Sequence, residues 1–379
     1  MSENKSLRMI FAGGGTGGHL FPAIAIADRL KELLMEQTSI NIIFVGTKRG
    51  IEYRLKDNLG YALHLINIRG IARSLTLKNL LVPFVVVGAL IKSWMLMKSF
   101  RPHLVVCTGG YVCWPVGKTA GWKNIPLVLQ EQNSFPGVTT RQLAPKAKRI
   151  YLGFERAKEL LHTEATMITS GNPVRSDISK GNRIKACEKY KLDPYKKTIL
   201  ILGGSQGARP INRAILNSIS EEKLNDKYQI LWQTGKREYT DVSAEIGARV
   251  PSGALFPFAE DMAEIYSAAD IVIARAGALT LAELTACALP SILIPFPHAA
   301  GDHQRKNALD YTERNMALMI EETELEQKDL INEVIALFES DQYESMKAAL
   351  EHERTSRRRA VDTIAYDILE LLKENGDLN

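Results

Sequence analysis

The sequence predicts an α/β fold of two Rossmann-like domains in tandem, with parallel sheets facing a central cleft where ligands bind. Three observations point there. A short apolar strand, a glycine-rich turn and a helix follow one another twice. They occur at residues 8–12 (RMIFA) with 13–18 (GGGTGG), and at 198–202 (TILIL) with 203–207 (GGSQG). Each copy opens an alternation of strand and helix signals, with strands at 41–45, 103–107 and 126–129 in the first half and at 229–233, 270–274 and 291–294 in the second. Short apolar strands between helical segments suit a parallel sheet buried on both faces. The length, 379 residues, fits two domains at roughly 100–200 residues each. The turn-rich stretch at 170–173 (SGNP) marks the boundary, so the expected domains are 1–170 and 171–345. Residues 346–379 are expected as a C-terminal helix packing back toward the first domain, with Ile364, Ile368 and Leu371 at helical spacing.

Hydrophobic content of 45% and charged content of 24% exclude a disordered or fibrous chain. The net charge of +5 is unevenly spread: residues 1–170 hold 22 Lys/Arg against 10 Asp/Glu, and residues 171–379 hold 26 against 33. No acidic residue stands between Asp57 and Glu131, where Arg69, Arg73, Lys78, Lys92, Lys98, Arg101, Lys118 and Lys123 are all basic. A one-signed block of this kind faces a polyanion, either nucleic acid or an anionic membrane. Nucleic acid requires aromatic platforms interleaved with the cations, and here the aromatics lie in apolar runs instead. The expected partner is therefore the cytoplasmic face of an anionic membrane. Leu75, Leu80, Leu81, Phe84 and Trp94, with Trp122, form an apolar patch among Lys78, Lys92 and their neighbours that suits shallow insertion. The most apolar stretch, 80–91, is 12 residues long, contains Pro83 and is closed by Lys92. A spanning helix needs about 20 apolar residues, so this run is read as too short to cross. The N-terminal segment shows no signal-peptide h-region, and Cys107, Cys113, Cys187 and Cys287 lack metal or CxxC spacing. Both features lead to an expectation of a cytosolic, peripherally bound protein with reduced thiols.

The first glycine loop, 13–18, formally contains GxGxxG, but a dinucleotide enzyme also needs an acidic residue ending its second strand. Here that strand runs into Gly46-Thr47-Lys48, which disfavours NAD. What remains is a glycine turn at a helix start, able to approach a diphosphate with backbone N–H groups, or a ligand-free strand–helix turn. His19 follows it in the first helical turn, where the helix end favours neutral imidazole and suits a general base. The polar run 130–133 (QEQN) sits after a buried strand. The second glycine loop carries Ser205 but no Walker lysine, so ATP hydrolysis is not expected. A third turn, 275–283 (RAGALTLAE), offers Arg275 and the helix-start amides of Ala278, Leu279 and Thr280. Glu283 could accept ribose hydroxyls, or Thr280 and Glu283 could form a capping box, S/T-x-x-E. Spacing alone leaves the two readings equal. The loop 295–307 ends in Gln304 and Asn307, whose amides can read sugar hydroxyls.

Taken together, GGGTGGH at 13–19, GGY at 109–111, QEQN at 130–133, GNPVR at 171–175, GGSQGA at 203–208, RAGALTLAE at 275–283 and DHQRKNA at 302–308 identify a resemblance. The chain resembles the MurG family, glycosyltransferases of peptidoglycan synthesis. The resemblance implies a GT-B fold and an inverting transfer of N-acetylglucosamine from UDP-N-acetylglucosamine to the C4 hydroxyl of the muramoyl sugar of lipid I, giving lipid II. It implies no cofactor and no metal, and no DxD motif stands on the donor loop. By the same likeness Arg175, Ser205 and the 278–280 helix start hold the diphosphate, Glu283 the ribose, the backbone around Phe258-Ala259 the uracil, and Gln304 with Asn307 the sugar. Thr16, Gly17, Gly18 and Asn133 reach the donor from the acceptor side, where Tyr111 also lies. His19 is the implied base, with Glu131 as rival. Some relatives carry adjacent glutamines where this chain has His303-Gln304. The competing readings are a transferase of the same fold with another acceptor, such as diacylglycerol, or a UDP-sugar epimerase.

Overall fold

Unbroken apolar runs become central strands. In the computed structural model, which describes residues 6–69, 82–204, 207–224, 227–250, 254–259, 261–356 and 359–378, the chain divides into two compact units. One is Met1–Arg175 with Arg358–Asn379, the other Ser176–Arg357.

In the first unit β1 (Leu7–Ala12), β2 (Ile40–Gly46), β3 (Ala62–Leu65), β4 (Leu104–Cys107), β5 (Leu127–Glu131), β6 (Arg149–Leu152) and β7 (Thr166–Thr169) form one sheet. The order is β3-β2-β1-β4-β5-β6-β7, with every neighbouring pair parallel. Alternate residues of each strand point to opposite faces, which splits the core in two. Ile10, Ile43, Val105, Leu127 and Ile150 pack on one face with Ala89, Val116 and Leu143, from helices α3 (Val82–Phe100), α4 (Cys113–Trp122) and α5 (Val138–Leu143). Met9, Phe11, Phe44, Val106, Val128 and Tyr151 pack on the other, against α1 (Gly17–Leu34) and a C-terminal helix. A short helix, α2 (Ile51–Arg54), follows β2.

The second unit repeats the scheme. Its strands β8 (Lys197–Leu202), β9 (Tyr228–Gln233), β10 (Leu255–Phe256), β11 (Ile271–Ala274), β12 (Ser291–Leu293) and β13 (Ala317–Met319) lie in the parallel order β10-β9-β8-β11-β12-β13. Helices α6 (Arg183–Tyr190), α7 (Arg209–Ser218), α8 (Glu221–Leu224), α9 (Tyr239–Ile246), α10 (Met262–Ala268), α11 (Ala278–Ala286), α12 (His303–Glu313), α13 (Leu330–Phe338) and α14 (Asp341–Ser356) connect and cover it. In each sheet the order reverses once, between β1 and β4 and between β8 and β11. Loops at the carboxyl ends of those strands form the crevice where doubly wound sheets bind ligands.

Two elements differ from the sequence reading. The tail is not one helix: α14 belongs to the second unit, and α15 (Ala360–Glu374) to the first. There Asp362 pairs with Arg29 at 2.7 Å, Asp367 accepts from the Tyr151 hydroxyl at 2.6 Å, and Ile364, Ile368 and Leu371 are buried. The apolar run at 80–91 continues as α3 to Phe100, because Lys92 and Lys98 stand on its exposed face and do not interrupt the helix. By length and composition alone Pro83–Phe100 is long and apolar enough to cross a membrane. Its Ala89, Ser93 and Met97, however, are buried against the rest of the unit.

Candidate active site

In the first unit four loops meet at the carboxyl edge of the sheet. The loop 13–18 leaves β1 and enters α1, with Thr16 as an exposed, extended N-cap and Gly17 and Gly18 opening the helix. From the loop after β4, Gly109 (φ +106°) and Gly110 (φ +82°) come so close that a Cβ would stand 2.7 Å from His19 Nδ1 and 2.5 Å from the Gly14 carbonyl, respectively. Only glycine tolerates both the positive φ and the approach. Thr108 donates its hydroxyl to the His19 carbonyl at 2.7 Å. Tyr111 lies over Gly15, and its hydroxyl stands 3.4 Å from Thr47 Oγ1.

The hydrogen bonds settle the tautomer of His19. Nδ1 lies 2.9 Å from Gln132 Oε1, while Gln132 Nε2 donates to the carbonyls of Thr108 (2.6 Å) and Gln130 (3.2 Å). With the amide oriented by those carbonyls, Oε1 can only accept, so Nδ1 carries a proton, and in the neutral ring Nε2 is the acceptor. Gln130 in turn donates to Asn172 Oδ1 at 3.0 Å, and Asn172 donates to the Gln132 carbonyl at 2.9 Å. The His19 ring is thus oriented by a second side chain that is itself held in place.

Glu131, the rival base, is engaged otherwise. Its Oε1 accepts from the Asn133 N–H (3.0 Å) and Nδ2 (3.3 Å), and its Oε2 from the Gly137 N–H (3.0 Å) and the Thr140 hydroxyl (2.6 Å). At 3% exposure with four donors, this carboxylate ties together the loop that follows β5. Asn133 is held through the same contacts. Sequence reasoning also missed Glu52. It is buried beneath the glycine loop and accepts from the Gly15 N–H at 2.9 Å and the Thr47 N–H at 2.8 Å. The Gly15 amide is therefore already occupied and is not offered to a diphosphate. No periodicity in the sequence marks such a carboxylate.

In the second unit β11 runs into α11, whose N-cap is Gly277 with no side-chain cap bond. Thr280 is thus the third residue of the helix and Glu283 the sixth, which rules out the capping box. Instead Glu283 Oε2 accepts from the Tyr266 hydroxyl at 2.8 Å. Ala278, Leu279 and Thr280 form the first turn, and no acidic residue stands in it. Gln304 uses its carbonyl oxygen to accept from the Phe296 N–H at 2.9 Å, leaving its amide nitrogen without a protein partner among the described residues.

Three expected donor contacts are engaged in holding the unit together. Arg275 Nη1 donates to the carbonyls of Ile294 and Pro295 at 3.1 Å each, and Nη2 pairs with Glu322. Asn307 is fully buried and donates to the Ala276 carbonyl at 3.3 Å. The Ala259 N–H donates to Gln233 Oε1 at 2.9 Å, so that amide is not open to uracil. Arg175 ends the N-terminal segment of the first unit, half-buried. Ser205 lies outside the described residues.

On α3 of the first unit, Phe84, Val87, Ile91 and Trp94 form an exposed stripe at spacings of three and four, with Phe84 77% exposed. Lys92 and Lys98 stand beside it, exposed, and Lys123 Nζ sits 4.0 Å from the centre of the Trp94 ring. Trp122 on α4 is 58% exposed. Leu75, Lys78, Leu80 and Leu81 lie outside the described residues.

Comparison with known proteins agrees with both halves. Residues 9–152 match the glycosyltransferase family 28 N-terminal domain and residues 198–364 its C-terminal domain. A "UDP-N-acetylglucosamine--N-acetylmuramyl-(pentapeptide) pyrophosphoryl-undecaprenol N-acetylglucosamine transferase" of Chlorobium luteolum is 40% identical, over 97% of this chain and 100% of its own. A protein of the same name from Bacteroides thetaiotaomicron is 39% identical over 86% and 87%. Among solved structures, MurG of Acinetobacter baumannii superposes with a TM-score of 0.71 at 26% identity, over 96% of this chain and 99% of that one. A putative UDP-N-acetylglucosamine 2-epimerase of Listeria monocytogenes (TM-score 0.70, 14% identity, 97% of each chain) shares the fold alone. The two parallel-sheet units are those of the GT-B fold. The chain belongs to glycosyltransferase family 28 and, within it, to the MurG family of UDP-N-acetylglucosamine-dependent N-acetylglucosaminyltransferases.

Proposed function

We propose that this protein transfers N-acetylglucosamine from UDP-N-acetylglucosamine to the C4 hydroxyl of the muramoyl sugar of lipid I, with His19 as the base. The observation that carries the assignment of the base is the Nδ1–H bond from His19 to Gln132, which leaves Nε2 as the proton acceptor. In the reaction Nε2 takes the hydroxyl proton as the C4 oxygen attacks the anomeric carbon from the face opposite UDP. The new C–O bond forms as the bond to the diphosphate oxygen breaks, so the product linkage is β. A positioned base contributes about 10²–10⁴-fold to such a step.

The departing diphosphate gathers negative charge. The amides of Ala278, Leu279 and Thr280, at the positive end of α11, with Arg175 and Ser205, are the groups proposed to stabilise it. Glu283 accepts the ribose hydroxyls and the Gln304 amide donates to the sugar, while Thr16, Gly17, Gly18, Tyr111 and Asn133 border the acceptor side. The apolar stripe of α3 with Trp122, flanked by Lys92, Lys98 and Lys123, supports peripheral docking on the cytoplasmic face of an anionic membrane. Each cation near such a surface contributes about 1 kcal/mol. That face is where a lipid-linked sugar is met.

The test is product analysis with radiolabelled UDP-N-acetylglucosamine and a soluble lipid I analogue. The label is expected in a disaccharide on the analogue, dependent on both substrates. Release of free sugar with UDP in the absence of acceptor would instead indicate epimerase-type chemistry.

A further inference from the structure

We infer that Tyr266 is a positioning residue for the donor: its hydroxyl fixes the carboxylate of Glu283 in the orientation that receives the ribose hydroxyls. The inference rests on the reading of Glu283 as the ribose acceptor. Tyr266 lies on α10, whose start is held by the Asp261 side chain accepting from the Ala263 and Glu264 N–H groups at 3.1 and 3.3 Å. Its ring is 2% exposed, and its hydroxyl reaches across to α11 to donate to Glu283 Oε2 at 2.8 Å. A carboxylate offers about four acceptor positions on two oxygens. A phenol hydrogen-bonded to one of these oxygens restricts the rotation of the carboxylate plane.

The local charges agree with this geometry. Burial, then the charge of Glu283, raises the Tyr266 phenol well above its ordinary value, so it stays a donor throughout the working pH range. Burial and the same carboxylate push the Cys287 thiol, one turn further along, up to about 12. Tyr266 also lines a cavity of about 330 Å³ shared with Cys287, Ala263 and Leu289. Replacing Tyr266 by phenylalanine removes the hydroxyl and leaves this packing as it is.

The experiment compares the Kd of UDP and of 2′-deoxy-UDP, by calorimetry on the full-length protein, for wild type, Tyr266→Phe, Glu283→Ala and the double variant. Wild type should prefer UDP, Glu283→Ala should abolish the preference, and Tyr266→Phe should shrink it about three- to tenfold. The double variant should match Glu283→Ala alone. If Glu283→Ala retains the preference, the ribose reading fails and the role of Tyr266 fails with it. If only Tyr266→Phe retains it, the ribose reading stands and the positioning role is overturned. Equal weakening of both nucleotides by Tyr266→Phe marks a merely structural residue and also overturns it.

Discussion

Glu131→Gln separates a base from a loop-holding carboxylate. In the native protein two donors point at each oxygen of Glu131, at 2.6–3.3 Å. The glutamine amide turns one of these acceptors into a donor. If the nitrogen replaces Oε2, the Thr140 hydroxyl can rotate to accept, but the Gly137 N–H faces another donor. If it replaces Oε1, the Asn133 amide can flip, but the Asn133 N–H is stranded. Either way one backbone donor loses its partner, at about 1–3 kcal/mol, and the surviving bonds lose their charge assistance. The expected loss is about 2–4 kcal/mol of stability, read as a lower urea midpoint with unchanged slope. Once folded, the variant should keep kcat within about tenfold of wild type, well short of what removing a base costs. The reverse pattern would refute the reasoning: stability within about 0.5 kcal/mol of wild type, with kcat reduced 10²-fold or more.

Three further outcomes follow from the same contacts. Arg275→Met should cost about 3–5 kcal/mol, because it leaves Glu322 and two carbonyls without their partner, while the donor KM stays within about threefold; a large rise in KM at unchanged stability would return Arg275 to the donor site. Phe84→Ser with Trp122→Ser should weaken sedimentation with anionic vesicles at least about tenfold, since each buried aromatic contributes about 1.5–3 kcal/mol; unchanged sedimentation would sink the docking surface. At alkaline pH, Cys287 and Tyr311 are both raised by burial to about 12 from ordinary values of 9.0 and 10.0. Between about pH 9 and 12 the folded protein therefore keeps protons that the unfolded chain releases, and stability falls as pH rises. Urea midpoints measured from pH 8 to 10.5 should decline, and Cys287→Ala should flatten part of the decline; an identical slope in that variant would contradict the raised thiol.

The fold was legible because its determinants are local. Uninterrupted aliphatic strands such as Ile271–Ala274 have no alternative to a doubly covered sheet, and glycines at 13–18 and 109–110 announce tight turns at the carboxyl edge. Glycine and histidine types likewise marked the neighbourhood of His19. What sequence could not supply is pairing at a distance: Gln132 meets His19 across 113 positions, and Glu52 reaches back 37 positions to Gly15. Nor does residue type reveal which polar side chains are already satisfied. Arg275, Asn307 and Glu131 look like ligand contacts in a string of letters, yet each is engaged by neighbouring protein groups. The T-x-x-E pattern at Thr280 left capping and ligand binding equal for a related reason, since it does not reveal that the helix starts at Ala278. The apolar run ending at Lys92 was cut short because a lysine on an exposed helix face interrupts hydropathy without interrupting the helix.

The most direct measurement is a single-turnover assay with enzyme in excess over labelled UDP-N-acetylglucosamine, a saturating lipid I analogue, and His19→Ala beside the wild type. Wild type should move the label into a β-linked disaccharide on the analogue, and His19→Ala should do so about 10²–10⁴-fold more slowly. Equal rates for the two proteins, or label that leaves UDP without reaching the analogue, would contradict the account.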